Sequence, residues 1–137
     1  MAFGTLKFDT LTTSDTVNTS TEKSINTGFL FNGITKAWIN QDGTASGAAA
    51  RDSFNISGVT DTGSGNYTNA FSNSMSSANW TSQISANNGT TDVSGAHDYG
   101  FAVVDRATSS YRIDIENASN SQTDLSLTDT AIHGDLA

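Results

Sequence analysis

The sequence predicts an all-β protein: an antiparallel β-sandwich or small barrel preceded by an extended N-terminal arm. Composition is the first sign. Ser, Thr and Asn supply 52 of the 137 residues, whereas Lys, Arg and Glu together supply eight. Good exposed helix formers are scarce, which argues against a helical bundle, while small polar residues suit turns and the wet face of strands. Periodicity is the second sign. From Lys36 onward apolar residues recur with period two, in seven short runs set apart by Gly, Asn, Asp and Ser clusters. Half-buried strands of this kind belong to antiparallel sheets rather than βαβ units.

The arm comes first. Phe3, Leu6, Phe8 and Leu11 precede a polar run, Thr12 to Ser24, and then Gly28-Phe29-Leu30-Phe31-Asn32-Gly33. The pattern reads as an extended segment over residues 1–33 with a short strand at each end, and no stretch of the chain reads as helix. The module over 34–137 follows. Ala37, Trp38 and Ile39 form a short strand from Lys36 to Asn40, and Gln41-Asp42-Gly43-Thr44 supplies a turn. Phe54 and Ile56 alternate with Ser53, Asn55 and Ser57; Tyr67, Asn69 and Phe71 share a face. Trp80, Ser82, Ile84 and Ala86 repeat the pattern, as do Phe101 with Val103 and Tyr111 with Ile113 and Ile115. Leu125 and Leu127 close the series before Ile132. Trp38, Phe54, Ile56, Phe71, Ile113 and Ile115 are the expected core.

Charge narrows the function. Twelve Asp and two Glu against six basic residues give a net charge of −8. Such a surface repels nucleic-acid phosphates and anionic lipid headgroups. No apolar run approaches the roughly 20 residues that span a bilayer, and the N-terminus has no signal-peptide pattern. The expectation is a soluble chain that folds in a cytoplasm.

Chemistry has little to work with. With no Cys there is no disulfide and no thiolate metal site. Ser94, His97 and Asp98 are neighbours on one Gly-containing loop, whereas a triad draws its members from separate rigid elements. Asp61-x-Gly63-x-Gly65-Asn66 has the look of a calcium loop but lacks its further oxygen ligands and its distal Glu, and hairpin chemistry accounts for it. Neither an enzyme nor a cofactor or metal is expected. The 12-residue connection from Asn87 to Asp98 is long for a compact domain, a length often functional. Asn87, Asn88, Asp92, His97 and Asp98 are therefore the candidate surface-recognition loop. The strand aromatics read mainly as core, with the proviso that one exposed Trp or Tyr would suit stacking on a sugar ring. The sequence does not say which.

Several segments resemble a known module. Lys36-Ala37-Trp38-Ile39-Asn40, Asp42-Gly43-Thr44, Arg51-Asp52-Ser53-Phe54-Asn55-Ile56-Ser57, Thr60-Asp61-x-Gly63-x-Gly65-x-Tyr67-Thr68, Met75 and Ala78-Asn79-Trp80 follow one another in order. Together they resemble the C-terminal module of tailed-phage tail-fibre proteins, especially those of marine podovirus-like phages. Ala131-Ile132-His133-Gly134-Asp135 is similar to that module's last strand, and the opening from Gly4 to Ser14 to the start of such virion proteins. The resemblance implies a non-enzymatic, homotrimeric virion component assembled in the host cytoplasm. With no shaft between arm and module, it implies a short knob, cement or decoration protein docked on capsid or tail. The alternative is a short fibre tip that binds a host surface glycan. In the docked reading Phe3, Leu6, Phe8 and Leu11 make the contact with another virion protein, since a free arm would leave them exposed.

Overall fold

A computed structural model describes residues 10–12, 24–88 and 99–137. The chain divides into two compact units, Met1–Ile34 and Thr35–Ala137. In the first, β1 (Thr10–Thr12) pairs antiparallel with β2 (Ser24–Asn26), placing Leu11 opposite Ile25, and α1 (Thr27–Gly33) follows directly. The helix corrects the expectation of a strand over Gly28–Gly33 and of a chain without helix. A short apolar run has no periodicity that separates the two states. Here the Ile34 amide donates to the Leu30 carbonyl at 3.2 Å, closing the last turn beside Gly33.

The second unit is a β-sandwich. Its described residues form β3 (Ala37–Asp42), β4 (Ala49–Phe54), β5 (Ile56–Gly63), β6 (Asn66–Phe71), β7 (Thr81–Asn87), β8 (Tyr99–Val104), β9 (Ser110–Asn117) and β10 (Leu127–His133). They build two four-stranded antiparallel sheets, in the orders β4-β3-β10-β7 and β5-β6-β9-β8. Strict alternation makes β9 the clearest strand: Tyr111, Ile113 and Ile115 are fully buried, while Arg112, Asp114 and Glu116 between them are half-exposed. The β5–β6 hairpin turns through Gly63 and Gly65, both at positive φ, and the Asp61 carboxylate accepts from the Gly63 amide at 3.0 Å. The Asp61–Asn66 stretch is thus a hairpin turn.

An aromatic cluster anchors the core. Trp80 meets Phe71 and Tyr111 edge-on, with ring centroids 6.0 and 5.6 Å away. Ile113, Ile115, Leu125, Ile132, Met75 and Ala37 pack around them, and Ile56 packs on the cluster half-buried. Beside this lies a buried polar seam. Gln41 on β3 sits opposite Thr128 on β10, and Asn69 on β6 donates to the Gln41 side-chain oxygen at 3.0 Å. Burial pushes the Tyr111 hydroxyl's pKa up, so it stays protonated and hydrogen-bonds the Thr130 hydroxyl. The Thr128 hydroxyl is fully buried and has no hydrogen-bond partner among the described residues. A lone buried hydroxyl costs about 1–3 kcal/mol. Thr128→Val keeps the shape and removes the hydroxyl, so it is expected to stabilise the fold by about 1 kcal/mol. A lowered melting temperature in that variant would show that the hydroxyl is satisfied.

Asn55 is the single residue between β4 in one sheet and β5 in the other. It sits at φ 56°, where non-glycine residues are uncommon. Its side-chain nitrogen donates to the Lys36 and Asn73 carbonyls, each at 3.1 Å, and its side-chain oxygen accepts from the Asn73 amide at 2.7 Å. The corner reverses the phase of the chain, and two core assignments are corrected here, Phe54 by the corner and Trp38 by the parity of β3. Phe54 and Ile56 look in phase, yet Ile56 packs inward and Phe54 is 53% exposed. Trp38, its cross-strand partner on β3, is 37% exposed because Ala37, Ile39 and Gln41 take the inward face. At the other end of the module, Thr128, Thr130 and Ile132 are the buried residues of β10, and Leu127 lies on the opposite parity.

Candidate functional site

The two corrected residues open the site. On the outer face of the β4-β3-β10-β7 sheet, register sets side chains in rows across the strands. One row runs Phe54, Trp38, Ala131, Gln83; the next runs Asp52, Asn40, Asp129, Ser85. An aromatic row thus lies beside a row of carboxylates, amide and hydroxyl. Strands lie about 4.8 Å apart, so Trp38 and Gln83 stand roughly 10 Å from each other with only the methyl of Ala131 between them. The result is a shallow groove of about 460 Å³, with Trp38 and Gln83 along its sides and Asn40, Ser85 and Asp129 at its polar edge. That volume falls in the range of about 300–1,000 Å³ typical of small-molecule sites.

The polar edge is preorganised. The Asn40 side-chain nitrogen donates to one Asp129 carboxylate oxygen at 2.5 Å, and the Ser85 hydroxyl donates to the other at 3.3 Å. An ionised carboxylate offers about four lone-pair sites. Two are taken by Asn40 and Ser85, which leaves Asp129 with acceptor capacity beyond these two bonds. Arg51 is turned to structural work instead. Its guanidinium pairs with Asp42 at 2.7 Å and donates to the Ser126 carbonyl. The Thr44 hydroxyl chiefly, helped by its amide and by Arg51, holds the Asp42 carboxyl below its ordinary pKa. That stabilisation is present above the unfolded carboxyl's pKa and is lost as pH falls through the lowered folded value.

The opposite sheet carries a smaller depression of about 260 Å³, lined by Gly100, Phe101, Ala102, Asp114 and Glu116. Phe101 is 40% exposed there, although its partner Ile115 is core. Tyr67 is a buried structural hydroxyl. Burial, then its 2.7 Å hydrogen bond to Asp124, pushes its pKa up, and it remains a donor. Among the described residues no group of three or more His, Asp or Glu is placed to hold a metal ion, and no helix is long and apolar enough to cross a membrane.

The residues singled out from sequence fall only partly within the described residues. Phe3, Leu6, Phe8, Asp92, His97 and Asp98 lie outside the described residues. Leu11 stands in β1 opposite Ile25. Asn87 ends β7 opposite Leu127 and shares the strand parity of Gln83 and Ser85, with Asn88 next in the chain. The groove itself was not legible in sequence. Its members come from β3, β7 and β10, scattered over about 90 positions, and only cross-strand register sets them side by side. The one usable signal was that one exposed Trp or Tyr would suit stacking on a sugar ring; of the two tryptophans, Trp38 is 37% exposed and Trp80 3%. In comparisons with protein-family models, curated proteins and solved structures, nothing matches this chain.

Proposed function

We propose that this chain is a non-enzymatic recognition protein of a virion surface, and that the outer face of the β4-β3-β10-β7 sheet binds saccharide. One observation carries this reading. Trp38 and Phe54 stand exposed in one row, directly beside the Asn40–Asp129–Ser85 hydrogen-bonded row. A pyranose needs that combination: a flat apolar platform for its C–H face and convergent acceptors and donors for its hydroxyls. The virion setting rests on the resemblance to tail-fibre modules, whose matching segments Lys36–Asn40 and Arg51–Ser57 contain most of β3 and the end of β4.

Trp38→Ala is expected to lower affinity for a bound oligosaccharide at least about tenfold, the loss of one stacked aromatic anchor. Its denaturation midpoint should stay close to that of the parent. A glycan array followed by titration of hits with parent and variant checks this. Hits that bind both equally would place recognition elsewhere.

The structural reading, a knob or cement protein docked on capsid or tail through residues 1–33, makes a different demand. Deleting residues 1–15 would then abolish joining to particles while Trp38→Ala would not. The proposal includes a homotrimer. Both sheets end in exposed strands, β4 and β5, on either side of the Asn55 corner, and a neighbouring copy would cover those edges. Light scattering of the free protein should give three times 14.3 kDa; a monomer mass at micromolar concentration would count against it.

A further inference from the structure

Resting on the binding reading just given, we infer that the Trp38–Asp129 groove is selective by charge: it takes neutral saccharides and excludes anionic ones. The argument starts from what lines the groove. Its residues carry one formal charge, the Asp129 carboxylate, and Asp52 stands in the same row opposite Asn40. The basic side chains of this region are placed otherwise. Arg51 is engaged with Asp42 and backbone carbonyls, and Lys36 and His133 do not line the groove.

Asp129 is fixed as an acceptor. Asn40 and Ser85 both donate to it, which holds both oxygens in place. A sugar hydroxyl brings a proton and completes such a carboxylate. A uronic or sialic acid carboxylate brings a second negative charge and no proton, within a few ångströms of the first. Like charges about 5 Å apart near a protein surface repel enough to cost severalfold or more in binding, less as salt screens them. The net charge of −8 adds to this at longer range. The apolar row imposes a second demand. Trp38, with Ala131 beside it, asks for a ring face bearing C–H groups rather than substituents, as in a gluco-configured pyranose.

The test uses the full chain, isotopically labelled, titrated at low salt with two matched probes: methyl glucoside and methyl glucuronide. The expected result is movement of the amides of Trp38, Asn40, Gln83, Ser85 and Ala131 by the glucoside. The glucuronide should bind at least about fivefold more weakly, and the gap should shrink in 150 mM salt, where the Debye length is about 8 Å. Asp129→Asn keeps the shape and should narrow the gap in the same way. Equal or tighter binding of the glucuronide would overturn the charge selectivity, as would a gap unaffected by both salt and Asp129→Asn. If neither sugar moves these amides, the saccharide reading of the groove falls, and the selectivity with it. The first failures leave the binding site standing and the last does not, so the two are distinguishable.

Discussion

Trp80→Ala is expected to cost about 3–5 kcal/mol, enough to unfold much of a population whose whole stability is on the order of 5–15 kcal/mol. Its indole is buried, edge-on to Phe71 and Tyr111, and its ring nitrogen donates to the Ala107 carbonyl at 3.0 Å. The Arg106 guanidinium stands 5.1 Å from the ring centroid and also donates to the Trp80 carbonyl. Truncation therefore removes core volume, orphans a carbonyl and strips a cation of its platform together. Phe54→Ala, by contrast, removes a side chain that is more than half exposed, and should shift stability by about 1 kcal/mol or less. Urea denaturation of the two variants side by side checks both. Similar midpoints would mean that the inner and outer faces are wrongly assigned.

Asn55→Ala should be the second large loss, about 2–4 kcal/mol. One part is the left-handed backbone, where a Cβ without a local hydrogen bond costs about 1–2 kcal/mol. The other is the set of bonds to Lys36 and Asn73, each worth about 0.5–1.5 kcal/mol net. Asn55→Gly separates the two. Glycine accepts φ 56° freely and so should recover the backbone part only. If alanine and glycine variants melt together, the strain contributes nothing and the side-chain bonds account for the loss.

The same corner explains how far the sequence could be read. Alternation was a sound guide along β6 and β9: Tyr67-Asn69-Phe71 and Tyr111-Ile113-Ile115 both face inward as their period demands. It failed across Phe54-Asn55-Ile56, because a left-handed residue between two strands turns the period over and nothing in the composition marks Asn55 as that residue. It failed at Trp38 because three apolar residues in a row have no parity of their own. The residue that would have fixed it, Gln41, is a polar side chain buried in the seam. Thr128 and Thr130 hid β10 in the same way. The groove was less legible than the fold for a further reason. The pairing of β3 with β10 and of β10 with β7 is a long-range choice, and no local motif encodes which outer residues it will bring into one row.

The place of β10 has a consequence for the order of events during synthesis. This strand lies in the middle of its sheet, between β3 and β7, yet it is the last of the described strands in sequence. Ala37 waits for Ile132, about 95 residues later. At roughly 5–20 residues per second, that wait is about 5–20 s. Until then β3 has only β4 beside it, and the inward row of Ala37, Ile39 and Gln41 has half a sheet. The other sheet closes earlier, since β5, β6, β8 and β9 are all made before β10. The emerging chain therefore holds a formed layer against an open one, the state in which unpaired edges invite neighbouring chains on the same message. Arrival of β10 both completes the hydrogen bonding of that layer and creates the groove, so the face proposed for binding has no counterpart while β10 is still unmade.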